Sequence, residues 1–284
     1  MFGVDNNYVM KKSLKIRGEI VQLEEPKVMG ILNITPDSFY ANSRVSSENE
    51  ILNIAGKMYS DGAWILDIGG MSSRPGSEEI DIETERNRVV WAIKTVRKHF
   101  PEILVSVDTY RSVVARSAIN EGADMINDIS GAQFDPEILD VASSSQVPYI
   151  LMHTPGKPSE MSGFADYGDV FGSVFKYFSE RISLCHQKGI SDIILDPGFG
   201  FGKTLDQNWE LMRKLDLFSA FELPILVGIS RKSMINKLLE IKAEDALNAS
   251  TVLNTIALLQ GGNILRVHDV KEAVQTIKMV NQFR

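Results

Sequence analysis

The chain has a single cysteine, Cys185, among its 284 residues, so no intrachain disulfide is available. It falls within a helical pattern, where a buried and inert thiol is the ordinary state. No stretch approaches the roughly 18 consecutive apolar residues of a membrane-spanning helix. The first ten residues, MFGVDNNYVM, lack a basic segment followed by an apolar run, so no secretory signal is read. These absences predict a cytoplasmic protein in a reducing compartment. There is no Ser/Gly-rich linker, low-complexity tract or long internal repeat, so residues 1–284 are read as one domain. Cations are outnumbered: 30 Lys and Arg against 37 Asp and Glu leave a formal charge of −7. That balance excludes a nucleic-acid coat but not an anionic substrate, which a few well-placed cations can hold.

What the chain does have is alternation. Short apolar runs stand at residues 28–34, 64–69, 104–109, 125–130, 149–153, 193–198, 225–230 and 264–268. Each is rich in Ile, Val and Leu and apolar on both faces, as parallel strands buried on both sides require. Between them lie helical patterns at 47–60, 82–100, 112–121, 136–144, 170–188, 205–221 and 246–260, and another at 270–282 closes the chain. Several of these stop at glycines: Gly122, Gly189 and the pair Gly261-Gly262. Eight strands alternating with eight helices predict a (β/α)8 TIM barrel over 27–284. An open doubly wound sheet is the alternative, since strand order is invisible in sequence. Residues 13–25 read as a β-hairpin turning at Gly18, a candidate plug for the barrel floor.

Polar residues crowd the C-terminal ends of the runs, where barrels place their chemistry. The first ends at Asn33 and runs into Thr35-Pro36-Asp37-Ser38-Phe39. The second carries Asp67 and leads through Gly69-Gly70 to Ser72-Ser73-Arg74-Pro75-Gly76, which reads as a mobile lid. Asp108, Asn127 with Asp128, and His153 close the next three. Asp196 precedes a glycine-spaced loop, Gly198-Phe199-Gly200-Phe201-Gly202-Lys203; Ser230-Arg231-Lys232-Ser233 and Arg266-Val267-His268-Asp269 follow. One aspartate at a strand end is usually a cap or turn residue. Such a group at every end requires mutual hydrogen bonds or a ligand. Acids and amides beside Arg, Lys and His suit a ligand with a donor-rich heterocycle at one end and an anion at the other. His99, His186 and the three Trp residues lie in element interiors or caps and read as packing.

The ordered segments Gly30–Phe39, Asp67–Gly76, Val105–Thr109, Ile126–Gly131, Tyr149–His153, Asp196–Thr204, Gly228–Ser233 and Arg266–Val270 resemble the signatures of the dihydropteroate synthases, a pterin-binding enzyme family. The resemblance runs from about residue 14 to the end of the chain. It implies condensation of a hydroxymethyl-dihydropterin pyrophosphate with para-aminobenzoate. Asp108, Asn127, Asp196 and Lys232 match the positions that bind the pterin edges, with Met152 and Phe201 lining the pocket. Asn33, Arg266 and His268 match the pyrophosphate positions, and Asn33 also helps to place Mg²⁺. Phe39, Ser73, Pro75, Lys232 and Ser233 match the para-aminobenzoate pocket. Asp37 and Arg74 match the closing loops, so the implied catalytic set is Asp37, Arg74, Asp108, Asp196 and Lys232. A homodimer packed through the later helices and competition by sulfonamides are also implied.

Three stretches depart from the family pattern: Tyr40–Arg44, Met71 where an acid is common with Ser73 in place of Thr, and Thr154-Pro155-Gly156 after His153. They bear on loop behaviour and inhibitor response more than on the matched ligand positions. Two other readings share the pterin pocket: a methyltetrahydrofolate methyltransferase and a catalytically silent paralogue. The first has no use for the anion positions Arg266 and His268, and retention of every polar position argues against the second.

Overall fold

Period-two alternation decides what each barrel strand buries inside and out. In the computed structural model, which describes residues 12–34, 44–71, 79–157 and 167–283, the expected runs are all strands. After the hairpin strands β1 (Ser13–Ile16) and β2 (Glu19–Gln22) come β3 (Lys27–Asn33), β4 (Ile65–Gly69), β5 (Leu104–Asp108) and β6 (Met125–Asp128). Then follow β7 (Tyr149–Met152), β8 (Ile193–Asp196), the two-residue β9 (Leu226–Val227) and β10 (Ile264–Val267). All eight barrel strands pair in parallel, in the order β8-β7-β6-β5-β4-β3-β10-β9. A parallel bridge from Leu195 to Ile225 joins the two ends. The ring favours the TIM barrel over the open sheet.

The barrel interior changes character with height. At the floor, Met29, Ile65, Leu104, Met125, Ile150, Ile194, Leu226 and Ile264, one from each strand, form an apolar cluster with Leu14, Ile16 and Leu23 of the hairpin. The hairpin is therefore a plug. Two residues further along the strands the inward row reads Asp67, Ser106, Asn127, Met152, Asp196 and Arg266, and apolar packing gives way to polar groups. The outward residues, among them Val28, Leu66, Ile68, Val105, Val107 and Ile126, join the main core beneath the helices.

Those helices are α1 (Arg44–Ser60), α2 (Ile82–His99), α3 (Ser112–Asn120), α4 (Ile138–Ser145) and α5 (Val170–Gln187), then α6 (Leu205–Arg213), α7 (Ser233–Leu239), α8 (Leu247–Leu259) and α9 (Val270–Phe283). Local sequence starts several of them. Asp81 caps α2 by accepting from Thr84 N at 2.9 Å, Asp169 caps α5 from Gly172 N, and Thr204 with Gln207 forms a capping box on α6. The single helix expected over 205–221 is instead α6 followed by a 3-10 segment, Leu215–Phe221. Leu215 and Phe218, three residues apart, are buried together by that tighter winding.

The hairpin turns on Arg17 (φ 53°) and Gly18 (φ 82°), both in the left-handed region that a two-residue turn of this hand demands. Arg17 has a Cβ and tolerates this conformation poorly, yet its guanidinium is held from three sides. It donates to Asp124 Oδ1 (2.8 Å), Pro101 O (3.1 Å) and Ile103 O (3.0 Å). Asp124 also accepts from Arg97 and from Val105 N, so one buried carboxylate ties hairpin, helix and barrel strand together.

Candidate active site at the barrel mouth

Above the apolar floor, strand ends from around the ring converge. Asp67 Oδ2 accepts from Arg266 Nε at 2.6 Å and from Asn127 Nδ2 at 2.9 Å. Arg266 Nη2 reaches Asp108 Oδ2, also at 2.6 Å. The guanidinium thus lies between two carboxylates of β4 and β5 and has further N–H groups to offer. Burial pushes the Asp108 carboxyl up to about 7, against the pull of Arg266. Asn127 Oδ1 is buried and has no partner among the described residues. Asp196 is raised by burial, opposed by Lys232, and its Oδ1 is engaged by Gly198 N at 2.8 Å.

Lys232 comes from the loop after β9. Its Nζ donates to Phe199 O and stands 4.7 Å from the centre of the Phe201 ring. Burial lowers it to about 8. Arg231 sets its direction. That residue is left-handed (φ 57°), forms a two-point ion pair with Asp269 (2.6 and 3.0 Å), and donates its backbone N–H to Ser250 Oγ. Opposite, Lys203 gathers the glycine-rich loop by donating to Gly198 O (2.8 Å), Phe201 O (3.1 Å) and His153 O (3.4 Å); burial lowers it to about 7. Gly198, at φ 68°, is forced to be glycine, because a Cβ there would lie 2.0 Å from His153 O.

A small apolar patch of Tyr110, Ile129, Met152 and Phe201, with Met71 and Phe134 against it, is separate from the floor cluster. It gives the polar groups a flat hydrophobic neighbour. His268 Nδ1 pairs with Ser230 Oγ at 3.1 Å, and the His268 side lies exposed at the rim. Asn33 is exposed at the end of β3. Its Oδ1 lies 3.1 Å from where a Cβ of Gly69 would stand, and Asp108 Oδ2 lies 3.6 Å from the same point. The absent side chain of Gly69 leaves room beside both. Ser233 is exposed as the first residue of α7. Among the described residues no three His, Cys, Asp or Glu side chains cluster as a metal site.

The structure therefore brings Asp108, Asn127, Asp196, Lys232, Met152, Phe201 and Arg266 together, with Asn33, His268 and Ser233 at strand and helix ends around them. Asp37, Phe39, Ser73, Arg74 and Pro75 lie outside the described residues. His153, noted in sequence at a strand end, is buried and packs edge-on against Tyr177 at 4.9 Å; burial drives it down to about 2, so it stays neutral. Three residues escaped the site expected from sequence: Asp67, Lys203 and Arg231. Asp67 carried a usable signal, an acid at an inward position of the buried strand ILDIG.

A family model for pterin-binding enzymes matches residues 29–268. The chain belongs to that family. A dihydropteroate synthase of Escherichia coli strain K12 is 42% identical over 266 residues, covering 93% of this chain and 94% of the relative. The Yersinia pestis dihydropteroate synthase, solved as a sulfonamide drug complex, superposes with a TM-score of 0.88 at 39% identity, covering 96% of this chain and 98% of the other. The Xanthomonas albilineans dihydropteroate synthase with 4-aminobenzoic acid gives 0.87 at 34% identity, with coverage of 96% and 98%. The activity that goes with these likenesses is that of dihydropteroate synthase, a transferase of folate biosynthesis.

Proposed function

We propose that this site joins 6-hydroxymethyl-7,8-dihydropterin pyrophosphate to para-aminobenzoate, giving 7,8-dihydropteroate and pyrophosphate, within one pterin-binding domain. The observation that carries the reading is the inward row Asp67, Asn127, Asp196 and Arg266, with Asp108 above it and Lys232 facing it. The pterin lies against Met152 and Phe201, its N–H groups toward Asn127 Oδ1, Asp108 and Asp196, and Lys232 donates to its acceptor edge. The pyrophosphate lies toward the rim, where Arg266 and His268 meet its charge. The arylamine nitrogen attacks the methylene carbon, the carbon–oxygen bond to pyrophosphate breaks, and the amine gives up a proton. Asp108 and Asp196 stabilise positive charge developing at that carbon by fixed electrostatics.

Para-aminobenzoate binds with its carboxylate at Lys232 and Ser233. The roles that the resemblance gives Phe39, Ser73 and Pro75 in its pocket, and Asp37 and Arg74 in closure, belong to this reading. Asn33 would hold Mg²⁺. A single protein oxygen beside Asp108 suits an ion bound mainly through phosphate and water, and no all-protein cage is needed. That ion would neutralise the leaving group. A sulfonamide competes with para-aminobenzoate, in keeping with the sulfonamide complex of the Yersinia pestis synthase.

The partner is a second copy, seated on the groove between α8 and α9. Leu259, Met279 and Phe283 are exposed there by 48%, 73% and 80%. No helix among the described residues is long and apolar enough to cross a membrane. A cytoplasmic location belongs to the proposed reading of a folate-synthesis enzyme. The test is pyrophosphate release from purified protein given the pterin pyrophosphate and Mg²⁺. Release that depends on para-aminobenzoate, with dihydropteroate formed, supports the reading. A bound pterin without release would move it to a silent paralogue or a methyltransferase.

A further inference from the structure

We infer that Asp67 is a positioning residue that locks the Asn127 amide and the Arg266 fork onto one carboxylate oxygen, so that the pterin pocket and the anion site are set together. The inference rests on the reading that Asn127 meets the pterin and Arg266 the pyrophosphate. Three strands meet at this atom. Asp67 Oδ2 belongs to β4, and its donors come from β6 (Asn127 Nδ2, 2.9 Å) and β10 (Arg266 Nε, 2.6 Å). The row beneath is wholly apolar, so the fold does not require an acid at this height. Asp67 is completely buried, and its other oxygen has no partner among the described residues. A buried carboxylate held through one oxygen costs stability relative to a well-packed apolar residue. Its two contacts are what it contributes in return.

The first contact removes an ambiguity. A side-chain amide presents a carbonyl and an NH₂ of nearly equal size, and it can show a ligand either one. With Nδ2 committed to Asp67, only Oδ1 of Asn127 remains, and that atom is buried and unpaired. The pocket therefore presents an acceptor there and selects a ring edge bearing N–H. The second contact fixes the plane of Arg266. A guanidinium pinned through Nε to Asp67 and through Nη2 to Asp108 cannot rotate about its long axis, so its remaining N–H groups keep one direction.

The experiment is a double-mutant cycle read by calorimetry with 6-hydroxymethylpterin, which lacks the pyrophosphate. Asp67→Ala lowers the affinity on the order of tenfold, the size of one lost buried hydrogen bond. In an Asn127→Ala background the same substitution has almost no further effect. Asp67→Asn, whose carbonyl still accepts from Asn127, restores most of the affinity. In steady-state kinetics Asp67→Ala lowers kcat and leaves KM for para-aminobenzoate unchanged, a split that general loosening of the fold would not produce. Equal losses with Asn or Ala at 127 would overturn the inference. Unchanged affinity in Asn127→Ala alone would instead overturn the pterin-site reading. Should Asp67→Ala not fold, the wild-type protein decides. The Asn127 side-chain amide protons, assigned in NMR spectra with Asn127→Ala, stay protected from exchange with and without pterin if they face Asp67. Rapid exchange in the free protein would overturn the assignment.

Discussion

Arg266 donates to Asp108 at 2.6 Å, yet Asp108 titrates near neutrality because burial outweighs the pairing. Asp67, Glu85 and Asp128 push in the same direction as burial. The folded-state value, about 7, lies above the ordinary carboxylate value of 3.8. The carboxylate form therefore costs the free protein stability as pH rises through that range. Since the carboxylate is the form that binds, kcat/KM for the pterin pyrophosphate falls below pH 7 by about tenfold per unit. Asp108→Asn keeps a lower activity without this acid limb. A limb at the same pH in the variant would assign it elsewhere.

Arg266→Ala removes a cation from the anion site and also strands Asp67 and Asp108 in the barrel. Affinity for the pterin pyrophosphate drops far more than affinity for para-aminobenzoate. The melting transition also drops, by the equivalent of about 3–5 kcal/mol, as expected when one member of a buried ion cluster is lost. Titration calorimetry with each ligand separates the two effects. Equal losses for both ligands would remove Arg266 from the anion site.

Lys232→Ala leaves the circular dichroism spectrum unchanged and strongly reduces turnover, because the side chain reaches into the mouth from a loop that Arg231 and Asp269 already hold. In the wild type Lys232 loses its proton near pH 8, so binding weakens above that value. Lys232→Arg moves this basic limb upward. Wild-type turnover in Lys232→Ala would exclude Lys232 from the site.

At the opposite end, Asp124→Ala takes the carboxylate away from Arg17 and Arg97, which keep only backbone carbonyls, and removes the acceptor of Val105 N. The loss of stability is about 3–5 kcal/mol, seen as a lower denaturation midpoint. Pterin affinity measured well below that midpoint is unchanged, since the apolar floor separates this cluster from the mouth. A parallel loss of affinity would mean that floor and mouth are mechanically coupled.

The barrel was legible because each strand's burial is written as a run such as ILDIG or LVSVD, bounded by turns and glycines. The order of those strands was not legible, since pairing between distant segments leaves no local trace. The split at Lys214 was missed because Leu215 and Phe218 fit a helical stripe as well as a 3-10 one. At the site, Asp108, Asn127 and Asp196 stood out as strand-terminal polar residues. Asp67 was visible in the same row but drew no ligand role, because its significance lies in what it touches: two donors brought to it from residues 127 and 266. Lys203 likewise drew no role, since its partners are backbone carbonyls that every residue carries. The residues expected from the first two loops, Asp37, Phe39, Ser73, Arg74 and Pro75, lie outside the described structure.

The hairpin segment that plugs the floor is synthesised early and seated late. Its anchors are remote in the chain: Arg17 on Asp124, Lys15 N on Asp192 and Lys12 on Asn263, the last pair 251 residues apart. During synthesis Leu14, Ile16 and Leu23 emerge long before most of the strands that cover them exist. Contacts of such separation are slow to form, because closing the intervening chain costs entropy first. Those three apolar side chains thus have no floor to cover until nearly the whole ring has been translated, and the base of the barrel can be sealed only as the last strand arrives.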